Sequence, residues 1–580
     1  MLANENSSAG GALSSLESEP QVGRPLLSVD DLVTVFPTRR GDFRAVDAVS
    51  FKVTEGETVC LVGESGSGKS VTARSILQIV DRPGRIESGR ILLHPAKKGD
   101  ALDIAALSPG SRMMRGIRGR DIAMIFQEPM SALSPVHSIG NQIVEAIRLH
   151  ESIGKRAARA RAIDLLRLVE IREPEKAIDR YAFEYSGGMR QRAMIAIALA
   201  CNPRLLIADE PTTALDVTIQ AEILKLIKRI QIERGMGVLF ITHDMGVVAA
   251  IADRVVVMQK GRVVEQGSVD HIFERARHPY ARMLVDTAQR LFKGWNAKEI
   301  RVRESRALGE TLLAVKELRV AYSVASRSIF RRSEPFFAVD GVSFELCAGE
   351  SLGIVGESGS GKTTLGRALL GAVAATGEAS YRGGSNPVDL LSLDKRGWRD
   401  LRKDIRFVFQ DPFGSLNPRM TVAQIIGEPL LNYGIASGAA LKDRVASLLE
   451  MVELKPNMME RYPHAFSGGE RQRIGIARAL ALDPKLIIAD EPTSALDVSV
   501  RAQVLDLLLA LRERLGLSFV FISHDIGVVR YFCDRIAVMN RGKIVEIGSA
   551  RKICENPMQA YTQELISAVP KPDLSVRRLR

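Results

Sequence analysis

The sequence predicts an α/β protein made of two tandem copies of one layered domain, and three observations carry that prediction. The segment Gly63-Glu64-Ser65-Gly66-Ser67-Gly68-Lys69-Ser70 returns as Gly356-Glu357-Ser358-Gly359-Ser360-Gly361-Lys362-Thr363. Short continuous apolar runs alternate with stretches of helical spacing, the pattern of buried parallel strands joined by helices. The motifs that follow each Gly-rich segment occur in the same order both times, as a duplicated unit requires.

Thr58-Val59-Cys60-Leu61-Val62 is an apolar run ending at the first Gly-rich loop, so it reads as a buried strand feeding a helix that begins near Lys69. Leu205-Leu206-Ile207-Ala208 and Gly237-Val238-Leu239-Phe240-Ile241 are two more such strands, and Ala157–Val169 and Ile219–Ile232 have helical spacing. This alternation places a phosphate-sized ligand at the C-terminal edge of a parallel sheet. Upstream, Leu26-Leu27-Ser28-Val29 is echoed by Leu312-Leu313-Ala314-Val315, and Ala45–Phe51 by Ala338–Phe344. The loop lysines Lys69 and Lys362 lie 293 positions apart and the later acids Asp209 and Asp490 lie 281 apart, so the first copy is expected to carry an insert that includes Pro95–Arg120. The expected division is a disordered tail 1–24, a first domain 25–290, a linker 291–310, a second domain 311–570 and a basic tail 571–580.

Composition limits the function classes. At 580 residues, with 46% hydrophobic and 26% charged residues, the chain has the balance of a globular protein. No apolar stretch approaches the ~18 residues that read as a membrane span, so the chain is expected not to cross a membrane by itself. Met1–Gly23 has neither a basic leader nor an apolar core, which argues against a secretory signal. Cys60, Cys201, Cys347, Cys533 and Cys554 form no C-x-x-C pair and read as reduced, mostly buried thiols of a cytoplasmic protein. A net charge of +12 permits an anionic partner but selects none.

Both Gly-rich segments match G-x-x-x-x-G-K-[ST], whose backbone N–H groups cradle phosphate oxygens and whose glycines let the backbone approach them. Lys69 and Lys362 are expected to reach the β- and γ-phosphates of ATP, and the Ser70 and Thr363 hydroxyls to sit on Mg²⁺. Leu205–Glu210 and Leu486–Glu491 are apolar strands ending in two acids. Asp209 and Asp490 suit orientation of Mg²⁺, and Glu210 and Glu491 suit polarisation of the attacking water as general bases. Ser186-Gly187-Gly188 and Ser467-Gly468-Gly469 each open a helix, where a hydroxyl, glycine N–H groups and the helix dipole converge on an anion. Alone, each is only an N-cap followed by glycines. Its place about 20 residues before an acidic strand end gives it meaning.

Taken together, these motifs resemble the ABC ATPase family over nearly the whole chain from about Leu26 to Pro570. The resemblance implies two tandem P-loop NTPase domains, each with a RecA-like core, an antiparallel β subdomain and a helical subdomain. It implies that Gln127 and Gln410 contact Mg²⁺ and the attacking water, that His243 and His524 are switch histidines, and that Asp216 and Asp497 belong to D-loops. It also implies a head-to-tail sandwich in which Lys69 works opposite Ser467 and Lys362 opposite Ser186. Glu210, Glu491, His243 and His524 are all retained, so both sites are expected to be competent. The signatures depart from Leu-Ser-Gly-Gly-Gln, reading Tyr185-Ser186-Gly187-Gly188-Met189 and Phe466-Ser467-Gly468-Gly469-Glu470. Phe36, Phe43, Tyr322 and Phe337 are the candidates for stacking on adenine.

A narrower resemblance rests on Phe126-Gln127-Glu128-Pro129, Phe409-Gln410-Asp411-Pro412, Pro211–Gln220, His278-Pro279-Tyr280 and Ala560-Tyr561-Thr562. Together they look like the dipeptide/oligopeptide/nickel importer branch in its fused form. This implies a peripheral subunit on the cytoplasmic face of the bacterial inner membrane, driving uptake of a small peptide. Two transmembrane permease subunits and a solute-binding protein would be separate chains. The C-terminal cysteine cluster of many unfused members is missing. The alternative is a soluble twin-ABC ATPase acting on ribosomes or nucleic acid. The ribosome-binding type joins its halves with a longer charged linker than Leu291–Gly309, and the DNA-repair type carries zinc cysteine pairs.

Overall fold

A computed structural model describes residues 23–39, 41–97, 99–213, 215–293, 309–322, 335–411 and 414–576. Most of the expected N-terminal tail and linker, and the last four residues of the basic tail, lie outside the described residues.

Each half is built on a six-stranded sheet. In the first, the spatial order is Arg262–Ser268, Arg254–Gln259, Thr58–Val62, Gly237–Thr242, Leu205–Asp209 and Ile122–Ile125. All neighbours run parallel except the Arg262–Ser268 edge, which is antiparallel to Arg254–Gln259. The second half repeats the arrangement around Ser351–Val355. The strands Thr58–Val62 and Leu205–Asp209 are buried at every position, which is why they read as unbroken apolar runs and not as alternating ones.

A four-stranded antiparallel sheet, with Pro25–Thr38 paired to Gly41–Thr54 and to Arg85–Leu93, packs over one face of each core sheet. Its apolar side and the core strands form one continuous cluster, including Leu26, Val46, Leu61, Ile207 and Val256. A helical subdomain follows the Gln127 strand: Ile139–His150, capped by Ser138, then Lys155–Leu168 and Gly187–Ala198. The three-part domain implied by the resemblance is therefore present twice.

Three expectations are corrected. Pro95–Arg120 is not one inserted block. It holds a strand, Leu102–Asp103, and a helix, Arg112–Ile117, and both have counterparts in the second half, Val388–Asp389 and Lys395–Leu401. The turn between strand and helix is longer in the first half, 104–111 against 390–394, and the rest of the extra length is spread over other connections. The cysteines are less uniform than expected: Cys60 and Cys533 are buried, and the other three are half-buried.

The third correction concerns the ends of the halves. The helix Pro279–Lys293 runs through the expected boundary at residue 290, and Leu291 belongs to the apolar core of the second half. Reciprocally, Leu574, inside the expected basic tail, packs against the core of the first half. In the sequence, the apolar periodicity at 291–293 is masked by the polar residues that follow it.

Candidate nucleotide-binding sites

Four chain segments converge at the C-terminal edge of each core sheet. The Gly-rich loop follows Val62, Gln127 follows Ile125, Asp209-Glu210 ends the neighbouring strand and His243 follows Thr242. The second half brings Lys362, Gln410, Asp490-Glu491 and His524 together in the same way.

The loop closes on its own lysine. Lys69 Nζ donates to the carbonyls of Gly63 at 2.8 Å and Glu64 at 2.7 Å and approaches Ser67 Oγ at 3.3 Å. Lys362 makes the matching bonds to Gly356 at 2.7 Å and Glu357 at 2.8 Å. Burial pushes the Lys69 ammonium down, and Glu210, Asp497 and Asp209 oppose that shift. The glycines are required by space. A Cβ on Gly63 (φ 149°) would stand 2.2 Å from the Met258 carbonyl oxygen, and one on Gly68 (φ 101°) 2.4 Å from that of Ala45. Gly66 (φ 76°) is left-handed as well, and these turns curl the loop into the concave shape that suits a phosphate group.

Ser70 Oγ donates to Asp209 Oδ1 at 2.9 Å, and Thr363 Oγ1 to Asp490 Oδ1 at 3.0 Å. Each pair supplies a hydroxyl and a buried carboxylate, hard oxygen donors of the kind Mg²⁺ takes. Burial raises the Asp209 and Asp490 carboxyls, and the hydroxyl bond opposes it.

Glu210 and Glu491 stand next to them in the left-handed region, each with φ 46°. That conformation turns the side chain out of the sheet toward the loop. Gln127 Nε2 donates to Glu210 Oε2 at 2.8 Å, Thr213 Oγ1 donates to the same oxygen at 3.0 Å, and His243 Nδ1 lies 3.2 Å from Oε1. Burial raises the Glu210 carboxyl, but His243, Thr213 and Lys69 outweigh it and hold it down at about 2. Glu491 is likewise held low against its burial by His524, whose Nδ1 is 2.9 Å from Oε1, and it accepts from Gln410 Nε2 at 2.9 Å. Both carboxylates are thus ionised, the form that can accept a proton, although a depressed carboxyl is a weaker base than one tuned toward neutrality. Sequence reasoning missed Thr213, because a Thr in an acidic turn carries no signal of its own.

The halves meet through their D-loops. Asp216 Oδ1 accepts the backbone N–H of Ser358, in the other half's loop, at 2.5 Å. The Ser499 hydroxyl, beside Asp497, donates to the Glu64 carboxylate of the first loop. Asp216 and Asp497 open the helices Val217–Arg234 and Val498–Leu515 without capping them, which leaves both carboxylates able to reach across.

The signature serines cap their own helices. Ser186 Oγ accepts from Met189 N–H at 3.4 Å; Ser467 Oγ accepts from Glu470 N–H at 3.3 Å and donates to the Glu470 carboxylate at 2.9 Å. Gly188 and Gly469 are needed for packing, since a Cβ would stand 2.8 Å from Ile219 Cγ2 and 2.3 Å from Val500 Cγ1. Gly187 and Gly468 have nothing nearer than 3.9 and 3.6 Å, so their surface stays open to a ligand.

Of the adenine candidates, Phe43 and Phe337 are exposed on the strand that abuts the phosphate loops at Ala45 and Ala338, and Phe336 joins them. Phe36 is half-buried against Gly84, and Tyr322 pairs with Phe336 on the neighbouring strand. Two further residues touch the loops. Tyr280 and Tyr561 hydroxyls accept the backbone N–H of Glu64 at 2.9 Å and of Glu357 at 3.2 Å. The sequence displays both tyrosines at matching places near the ends of the halves but gives them no role.

Comparison with known proteins agrees with this geometry. The ABC transporter family profile matches residues 46–213 and 339–494, and that of the oligopeptide/dipeptide transporter C-terminal region matches 264–310 and 545–580. The chain is 48% identical over 576 residues to the glutathione import ATP-binding protein GsiA of Salmonella typhimurium (strain LT2), a match covering 96% of this chain and 91% of that protein. It is 47% identical over 570 residues to the protein of the same name from Escherichia coli O157:H7, covering 95% and 91%. Among solved structures, the RNase-L Inhibitor superposes with a TM-score of 0.56 over 90% of this chain and 91% of that chain, at 20% identity, a likeness of fold.

Proposed function

The chain belongs to the ABC transporter family and is an ATPase of its peptide-import branch, and on that premise we propose that it energises uptake of glutathione or another small peptide through separate permeases. The observation that carries this reading is the presence, in both halves, of the oligopeptide/dipeptide transporter C-terminal region, each copy touching a phosphate loop. That region favours the importer over an ATPase acting on ribosomes or nucleic acid.

ATP binds at two composite sites, with Lys69 working opposite Ser467 and Lys362 opposite Ser186. The cross-half contacts of Asp216 and Ser499 with the opposite loops support this pairing. Phosphate draws each lysine off the carbonyls on which it rests. Ser70 and Asp209, and Thr363 and Asp490, would hold Mg²⁺, with Gln127 and Gln410 as further oxygen donors. Bound there, the ion would supply positive charge to offset that on the phosphate oxygens. Glu210 and Glu491 accept the proton of the attacking water. His243 and His524 move from the glutamate toward the γ-phosphate.

The partners are two transmembrane permease subunits and a solute-binding protein, and the chain sits peripherally on the cytoplasmic face of the inner membrane. Among the described residues no helix is long and apolar enough to cross a membrane. Exposed apolar side chains lie within ten residues of the glutamines: Phe126, Met130 and Val136 in the first half and Phe409 in the second. Exposed apolar side chains at these positions suit docking of short permease helices. The test is reconstitution with candidate permeases and binding protein in proteoliposomes. ATP-dependent accumulation of labelled glutathione or a dipeptide is expected. ATPase activity indifferent to permeases, with tight ribosome or DNA binding at physiological salt, would overturn the reading.

A further inference from the structure

Each half ends in a helix that ties its own phosphate loop to the opposite half. In the first half this is Pro279–Lys293. Near its start, the buried Tyr280 accepts the Glu64 N–H at 2.9 Å. Near its end, Arg290 Nη2 donates to Asp506 Oδ2 of the second half at 2.8 Å, its guanidinium lies over the Tyr531 ring, and Leu291 enters the second half's core. In the second half, Tyr561 accepts the Glu357 N–H at 3.2 Å. The chain beyond it packs Leu574 onto the first half's core and sets the Pro570 carbonyl against Gly246.

The contact at the loop has a specific consequence. The Gly63 carbonyl and the Glu64 N–H belong to one rigid peptide plane and point in opposite directions. Tyr280 holds the N–H side, and Lys69 Nζ rests on the carbonyl side at 2.8 Å. Rotation of that plane moves the oxygen on which the lysine is parked. The same sandwich of hydroxyl, peptide and ammonium recurs with Tyr561, Gly356-Glu357 and Lys362, where the carbonyl distance is 2.7 Å. Burial pushes the Tyr280 hydroxyl up to about 12, so it stays neutral at any working pH. Glu64 is also held from across the interface by Ser499.

We propose that Tyr280 and Tyr561 are positioning residues for the phosphate-binding lysines, and that their helices act as straps through which separation of the halves is felt as a turn of the loop peptide. The inference rests on the reading of Lys69 and Lys362 as phosphate ligands. Parting the halves pulls on the docked end at Arg290 and Leu291; the helix transmits the movement to Tyr280, and the Gly63-Glu64 plane follows. ATP affinity is thereby linked to the distance between the halves through the C-terminal region, apart from any direct contact of the opposite half with nucleotide.

The test uses the full chain. Tyr280→Phe keeps the ring and its packing and removes only the hydroxyl. The KM for ATP is expected to rise about three- to tenfold while kcat changes less than twofold, a split that loss of fold would not give. Arg290→Ala, at the far end of the helix, is expected to raise KM in the same direction, and the double variant to be no worse than Tyr280→Phe, because both act on one path. Tyr561→Phe provides the same measurement in the second half should the first variant fold poorly. If Lys69→Ala abolishes ATP binding at its site while Tyr280→Phe and Tyr561→Phe keep the parental KM, the strap inference is overturned and the site stands. Additive effects of Tyr280→Phe and Arg290→Ala would overturn it as well. If Lys69→Ala leaves binding intact, the site reading itself falls and the inference with it.

Discussion

The backbone N–H of Ser358 lies 2.5 Å from the Asp216 carboxylate, so one phosphate loop is held by an aspartate of the opposite half. Burial lowers the Lys362 ammonium, and Glu491 followed by Asp216 oppose that shift, as Glu210 followed by Asp497 do for Lys69. Each loop is therefore read electrostatically by the other domain before any nucleotide is considered.

Asp216→Ala removes that acceptor and its charge. A hydrogen bond to a charged group contributes about 1.5–3 kcal/mol, and a loss of ~1.4 kcal/mol from the closed state corresponds to roughly a tenfold fall in rate. ATP turnover is expected to drop about tenfold or more, with Asp216→Asn, which keeps an acceptor, recovering most of it. Steady-state ATPase assays decide this, and parental turnover in the alanine variant would show the contact to be incidental.

Glu210 and Glu491 are expected to carry the proton abstraction. In Glu210→Gln with Glu491→Gln, the amide oxygen still accepts from Gln127 and Gln410, so the site geometry survives. Loss of a general base costs typically about 10²–10⁴-fold. Turnover should fall by at least about a hundredfold, with ATP binding retained in equilibrium titration. A double variant hydrolysing ATP at the parental rate removes the general-base assignment.

The sequence discloses the chemistry more fully than the connections. Lys69, Asp209, Glu210 and His243 are legible because each ends or follows a buried strand, and such strands print as apolar runs. The pairing of halves is legible only by resemblance; the contacts that realise it, Asp216 to Ser358 and Ser499 to Glu64, join residues 142 and 435 positions apart. No periodicity encodes such a distance. Leu291 and Leu574 read as linker and tail because a short apolar element that packs on a foreign core lacks the flanking pattern of a domain of its own. Tyr280 is visible as part of a string, but a hydroxyl acting on a backbone N–H leaves no partner side chain to find.

The His524–Glu491 pair makes a pH prediction. Burial lowers the His524 imidazole, but Glu491 and Asp525 raise it above the ordinary value of 6.5. A raised histidine stabilises the fold fully below 6.5, and that contribution is lost as pH rises through the raised value. Glu491 is depressed below the ordinary 4.5, so its share is present above 4.5 and lost as pH falls through the depressed value. The pair therefore contributes most between pH 4.5 and 6.5. His524→Gln should lower the melting temperature most in that window, by the equivalent of about 1 kcal/mol for a partly exposed pair. The difference from the parent should shrink as pH rises through the raised histidine value, and a difference that grows with pH would contradict the assignment.

The two glycines of the second signature should answer differently to the same added methyl group. Gly469 lies against the helix that begins at Asp497: a Cβ there would meet Val500 Cγ1 at 2.3 Å, too close for either helix to stay in place. Overpacking of this kind costs typically about 1–3 kcal/mol. Gly468 has nothing nearer than Leu496 Cδ2 at 3.6 Å, and alanine is the better helix former. Thermal unfolding should therefore show Gly469→Ala clearly destabilised and Gly468→Ala as stable as the parent or slightly more so. Gly468→Ala should instead weaken ATP-driven closure, because its methyl occupies the open surface beside Ser467. Equal melting temperatures for the two variants would mean that Val500 yields freely, and that the signature helix is not fixed against the D-loop helix as described.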